Sequence, residues 1–481
     1  MKPHIAFIVC TLTIPYLMAQ NVGIGTTSPS EKLHVAGNVR VSGEIKPDGE
    51  AGLAGQVLTS NGNGTMQWAA MNSGTEEEGN GGWGDCGVQQ ITDFFPAGMS
   101  GAKQGDQFGQ SVAISGDYAI VGAPYDDASA MDAGSATIYS YNATTESWED
   151  QGKVFNPSAV ASDQFGWSVS ISGDYAIVGS FADDENGHTN TGSATIFKRN
   201  INTGVWESQG KLTNPSPAAH DNFGLAVSIS GDYAIVGALN DDESGKTNCG
   251  SATVFKRNIN TGVWESQGKL LNPNLENDDS FGTSVSISGV QAIVGAYLDD
   301  ELGSTNVGSA TIFKRNINTG VWESQIKFLE DGFTNDYFGI SVSIHDDYAM
   351  IGISGSFAQK GMAVIYRRNT QSGIWEEQTR LTDPEGQEGD QLGSTVYITP
   401  DYAFAGSLTD DEDGIADSGS VTLFKKLTEG LWYVHEKFTC PHATPNAKFG
   451  AVAMTTDENR FVTGARGISQ SRGMVIFGRV K

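Results

Sequence analysis

The sequence predicts an all-β protein, a seven-bladed β-propeller of four-stranded antiparallel blades, on three observations. A Phe-Gly pair recurs at Phe108, Phe165, Phe223, Phe281, Phe338 and Phe449, with Leu392-Gly393 standing in once, which makes seven units. The steps between them are 57, 58, 58, 57, 54 and 57 residues, and each complete unit holds four short strand-like segments. The seventh unit stops after its third segment. Four strands at this period mean propeller blades, because a β-helix shows a shorter period with one or two strands per rung. The 61 glycines against 14 prolines suit many tight turns, and no long amphipathic helix pattern is present.

In chain order, residues 1–20, MKPHIAFIVCTLTIPYLMAQ, form the first element. One lysine, an apolar run from Ile5 to Met18 and a small residue at Ala19 read as a secretory signal peptide. The run falls short of the ~20 apolar residues of a bilayer span, and no other segment could serve as one. Residues 21–82 follow. Their stretches NVGIGTTSPSEKLHVAGNVRVSGEI and GLAGQVLTSNGNGTMQW resemble segments of bacteriophage tail fibres and of secreted bacterial fibre proteins. That resemblance implies an extended stalk assembled as a homo-trimer, with Thr75–Gly82 as its flexible joint; a disordered leader is the other reading.

Residues 83–481 carry the propeller. In the second unit FGWSVSI alternates as an inner strand, SGD turns, YAIVG is a second strand and GSATIFKR a third; after the NINTG turn, Trp206–Leu212 is the fourth. The seventh unit ends on GMVIFGRV, so its outer strand is expected from upstream, where WGDCGVQQITDFF (Trp83–Phe95) aligns by its Trp with WESQGKL. Such closure pairs an otherwise open edge. The units resemble FG-GAP repeats, the blades of the integrin α-subunit propeller. The first shows the full pattern, Phe108-Gly109 then Val121-Gly122-Ala123-Pro124. The resemblance implies the propeller fold and ligand contact on one face. The Asp-rich calcium loop that many members place between the first two strands is not carried over, since SGDY turns tightly there.

The formal charge is 29 − 57 = −28, which opposes binding to nucleic acid and favours cations or basic partners. Cleavage of the signal leaves Cys86, Cys249 and Cys440, too few for a disulfide scaffold. Turns alternate faces in an antiparallel blade. The loops between second and third strands therefore open on the same face as the connections between blades, and these are the long, varied loops that suit recognition. Five of them begin with an acidic pair: Asp126-Asp127, Asp183-Asp184, Asp241-Asp242, Asp299-Asp300 and Asp410-Asp411. The pairs are either solvated turn formers or ligands for Ca²⁺, and blade six is the best calcium candidate because Asp413 and Asp417 follow in the same loop.

A second acid lies two residues before six of the seven pairs, at Asp106, Asp163, Asp221, Asp279, Asp336 and Asp390, with Ala447 breaking the set; its recurrence points to backbone capping at the start of the inner strand, against a ring of carboxylates at the channel mouth as the other reading. A functional site should break the repeat. Blades five and seven do so with SGSFAQKG and RGISQSRG, placing Lys360, Arg466 and Arg472 as a basic notch for a carboxylate or sulfated glycan. Trp167 and His188 of blade two are further candidates for stacking a sugar, with packing as the plainer role of Trp167. No HExxH, GxSxG or phosphate-loop motif is present, so no enzymatic activity is expected. The expected function is that of a secreted or surface-displayed bacterial module binding protein or glycan. The alternatives are a glycan-active enzyme and a structural fibre component.

Overall fold

A computed structural model describes residues 104–480, except 186, 302, 331–332, 356–358, 428–429, 442 and 456–459, and the backbone of five short strands before residue 104. The expected signal at 1–20, most of the 21–82 segment, Trp83 and Cys86 lie outside the described residues. Two compact units divide the chain, Met1–Gly84 and Asp85–Lys481. In the first, Val22–Ile24 pairs in parallel with Leu33–Val35, and Gln56–Ser60 pairs antiparallel with Met66–Ala70.

The second unit is the propeller, with seven four-stranded antiparallel sheets among the described residues. Blade two shows the plan: Ser168–Ser172, Tyr175–Ser180, Ser193–Arg199 and Trp206–Leu212 pair in chain order from the inside outward. Both faces of a blade are covered by neighbours, so its second strand has no polar side and reads YAIVGS, with Ala176, Ile177 and Val178 fully buried. Val169 and Ile171 of the inner strand pack against Ile120 and Ile138 of blade one, around Phe165. The serines alternating with them face the following blade. There Ser170 Oγ accepts from Ile229 N–H at 3.1 Å, and Ser228, Ser286 and Ser343 accept from Ile287, Ile344 and Ile398 in turn. Ser-Val-Ser-Ile therefore encodes one apolar joint and one polar joint, and it satisfies N–H groups on inner strands that have no strand partner on that side.

The Phe-Gly repeat has its own geometric cause. Phe223 makes a parallel bridge to Gly192, just before the third strand of blade two, and the same contact joins Phe165 to Gly134 and Phe281 to Gly250. A Cβ on Gly192 would sit 1.9 Å from the Phe223 carbonyl oxygen, and one on Gly224 would sit 2.1 Å from that of Ser193. Both residues also have positive φ, so only glycine fits.

The ring closes as the sequence predicts. Phe449–Met454, Arg460–Ala465 and Met474–Arg479 are completed by Thr92–Phe94, antiparallel to the last of them. The register differs from the alignment on Trp83. Phe94 stands opposite Val475 as Leu212 stands opposite Ala194, yet Phe94 lies eleven residues after Trp83, whereas Leu212 lies six after Trp206. The outermost position is therefore set by the C-terminal end of the expected stretch. Elsewhere on the joint, Phe108 bridges Gly473, Trp148 stacks on Phe477 at 4.6 Å, and Arg460 donates to Asp117 at 2.7 Å. Cys249 and Cys440 are buried.

Candidate functional site

The acidic pairs sit where strand parity places them, and their two members have different work. The first aspartate of each pair is buried. In blade two Asp183 Oδ2 accepts from Ser193 Oγ at 2.5 Å and from the Lys211 ammonium at 2.6 Å, while Lys211 also reaches Glu185. Blades three and four repeat the arrangement with Asp241, Ser251 and Lys269, and with Asp299, Ser309 and Lys327. Blade one uses Asp126, Ser135 and Lys153. In blade six Lys437 joins Asp410, Asp383 and Glu412, and Ser420 donates to Asp410. The second aspartate is exposed and closes its own loop. Asp184 Oδ1 accepts from Asn190 N–H at 2.8 Å, and Asp242, Asp300 and Asp411 accept from Asn248, Asn306 and Asp417 likewise.

These contacts give partners within the chain to Asp183, Asp184, Asp241, Asp242, Asp299, Asp300, Asp410 and Asp411, all named above as calcium candidates, whereas Asp417 enters through its backbone N–H, which donates to Asp411. A lysine ammonium pairs with each buried carboxylate, and the exposed ones accept from backbone N–H groups. Among the described residues no group of three or more His, Cys, Asp or Glu is disposed to hold a metal. The Asp413 side chain lies outside the described ones. The repeats supply an internal control. The five blades with an acidic pair carry lysine on the outer strand, whereas the two with replaced loops carry Arg380 and Asp93 at that register position. Arg380 pairs instead with Glu330 and Glu377.

The acids before Phe-Gly cap backbone as expected, though on the connection between blades and not on the inner strand. Asp163 Oδ2 accepts from Val160 N–H at 2.8 Å, and Asp221, Asp279, Asp336 and Asp390 repeat this contact three residues upstream. Asn156 Nδ2 donates to both Asp163 and Asp183, so two carboxylates share one joint. Burial, reinforced by the charge of the neighbouring Asp183, Asp241 or Asp299, pushes Asp163 and Asp221 up to about 6 and Asp279 to about 7. A carboxyl raised in the folded state from 3.8 holds a proton there that the unfolded chain has lost. Its stabilising contribution is complete below 3.8 and disappears as pH rises through 6 to 7. The melting temperature is therefore expected to be higher at pH 5 than at pH 7.5, with Asp279→Asn flattening the profile in scanning calorimetry. A profile climbing toward pH 7.5 contradicts this assignment.

The remaining candidates come from blades two, five and seven. Lys360 is exposed and donates to the Gly386 carbonyl at 2.9 Å. Arg472 is also exposed, its carbonyl accepting from Phe108 N–H at the closing joint, and His188 is exposed on its loop, where its N–H donates to Glu185 O. Of the three residues of the basic notch, Arg466 lines the depression described next, and Lys360 and Arg472 are not among its lining residues. Trp167 and Arg466, by contrast, line one depression of about 530 Å³ on the varied-loop face. Tyr297, Tyr337, Gln391 and Ser394 also face it. Trp167 meets Phe181 edge-on at 4.8 Å, so it both packs and presents surface. Tyr297 and Tyr337 lie 5.9 Å apart, and Arg466 donates to Gln110 Oε1 at 2.8 Å. The tyrosines were missed in the sequence although both break the repeat: Tyr337 stands where other blades have Gln, Asn, Ser or Lys before Phe-Gly, and Tyr297 follows VGA where the first blade has proline.

A family model described as FG-GAP repeat matches residues 99–139, 148–197, 206–255, 264–313, 322–363 and 375–424, which together make up more than half of the chain. Most of these matches run from an outer strand to the third strand of the next blade, the same one-strand offset that closes the ring. No curated protein matches the chain.

Proposed function

The chain belongs to the FG-GAP repeat family, and from that premise we propose that it is an extracellular recognition module, exported through residues 1–20, that binds its ligand in the central depression of the varied-loop face. One observation carries this reading. Side chains from blades two, four, five, six and seven converge on a concave surface with aromatic, amide and cationic groups, and nearly all of them depart from the repeat. A repeat keeps what the fold needs, so convergent departures favour a ligand. The described lining has no carboxylate, which supports binding over acid-base glycan hydrolysis. Among the described residues no helix is long and apolar enough to cross a membrane. Residues 21–82 fit a stalk for display, and trimeric display would multiply a weak site.

Glycan and protein arrays probed with the full chain test the reading. Trp167→Ala and Tyr337→Ala are each expected to weaken the recovered ligand at least tenfold while the melting temperature holds. Ligands that bind both variants as they bind the parent place recognition elsewhere.

A further inference from the structure

Arg466 differs from the arginines that stabilise the ring. Arg199, Arg257, Arg368, Arg380 and Arg460 each pair with a carboxylate. Arg466 has no such pair among the described contacts; its polar partner is the neutral Gln110 side chain. It is half-buried, and burial holds its acidity above that of an exposed arginine. In a chain of net charge −28 an intramolecular carboxylate would be easy to place here, yet the loop that begins at Arg466, RGISQSRG, has lost the acidic pair that five other blades keep. A desolvated guanidinium whose one described hydrogen bond goes to an amide, with the Tyr125 phenol as its other polar neighbour, retains donors for an incoming anion. Its planar fork matches a carboxylate bidentately.

The rest of the lining narrows the class of ligand. Tyr297, Tyr337 and Trp167 offer aromatic faces, the Gln391 amide offers a donor and an acceptor, and Ser394, whose hydroxyl donates to the Gln391 carbonyl at 2.6 Å, offers an acceptor, a set that suits sugar hydroxyls. The volume, about 530 Å³, lies within the range of small-molecule sites and suits a short saccharide better than a protein surface. We propose that the depression binds the carboxylate of an acidic sugar, with Arg466 as its ion-pair partner and the aromatic side chains against the ring. This rests on the depression being the binding site and adds the chemical class of its occupant.

The test uses the full chain against four carboxylated probes: oligogalacturonate, alginate oligosaccharide, hyaluronan oligosaccharide and sialyllactose. Controls are methyl-esterified oligogalacturonate, dextran sulfate and neutral cello-oligosaccharide. At least one carboxylated probe is expected to bind, with loss on esterification, at least tenfold weakening in Arg466→Gln and partial recovery in Arg466→Lys. Melting curves check that both variants fold. Neutral or sulfated glycans, or proteins, that bind with sensitivity to Trp167→Ala but not to Arg466→Gln overturn the carboxylate assignment and leave the depression as the site. Absence of binding to all four carboxylated probes overturns it as well, and binding insensitive to both substitutions overturns the site itself.

Discussion

Replacing Thr92–Phe94 by Pro-Gly-Pro in the full chain is expected to destabilise the ring by roughly 3–5 kcal/mol and to make it self-associate. The cause is local. Thr92, Asp93 and Phe94 pair with Phe477, Ile476 and Val475, residues that are buried and belong to a strand with no other partner on that side. Each lost backbone hydrogen bond costs about 0.5–1.5 kcal/mol, and proline cannot restore them. The larger consequence is topological, because the strand joins chain from before blade one to blade seven and so holds the ring shut. With it gone, Met474–Arg479 becomes an exposed apolar edge open to a second molecule. Thermal melting and size-exclusion chromatography read both effects, and an unchanged melt from a monomeric variant would show that the Phe108–Gly473 and Arg460–Asp117 contacts suffice for closure.

Most of the architecture was legible because a propeller writes its plan locally. The inner serines, the YAIVG strands and the glycines at positions such as Gly192 and Gly224 each answer a constraint within one blade or at one joint; the glycines recur at all seven joints and the serines in four blades. A missing seventh outer strand then demanded an upstream donor. The register of that donor was not legible, since Thr92–Phe94 has no Trp at the usual offset to anchor an alignment. Two features of the varied-loop face also escaped. Asp183 and Lys211 lie 28 residues apart in the chain, and their pairing appears only when the third and outer strands are set side by side. The depression draws on five blades, and no local pattern records which loops meet near an axis. Tyr297, Tyr337 and Arg466 were visible only as departures from the repeat.

Lys269→Met is expected to cost about 3–5 kcal/mol at pH 7.5, more than any surface ion pair would lose, because it leaves a buried charge without its counter-ion. Asp241 is 1% exposed, and Lys269 meets it at 2.6 Å and Glu243 at 2.5 Å. Ser251 and Asn214 still donate to Asp241 in the variant, but neither carries charge. Asp221 on the same joint is already raised by burial and by Asp241 and held down by the Lys269 charge, so removing the ammonium raises it further. Acid then relieves the defect, and the loss should shrink at pH 5. Lys269→Met with Asp241→Asn removes the pair together and keeps the shape, so it should recover most of the stability at pH 7.5. A single variant that melts like the parent at pH 7.5, or a double variant no better than the single, would mean that these lysines are surface decoration. Lys211→Met repeats the experiment in a near-identical joint, since Lys211 binds Asp183 and Glu185 at the same distances. Equal losses at both sites would identify the lysine, and not its particular loop, as what holds five acidic turns to the ring.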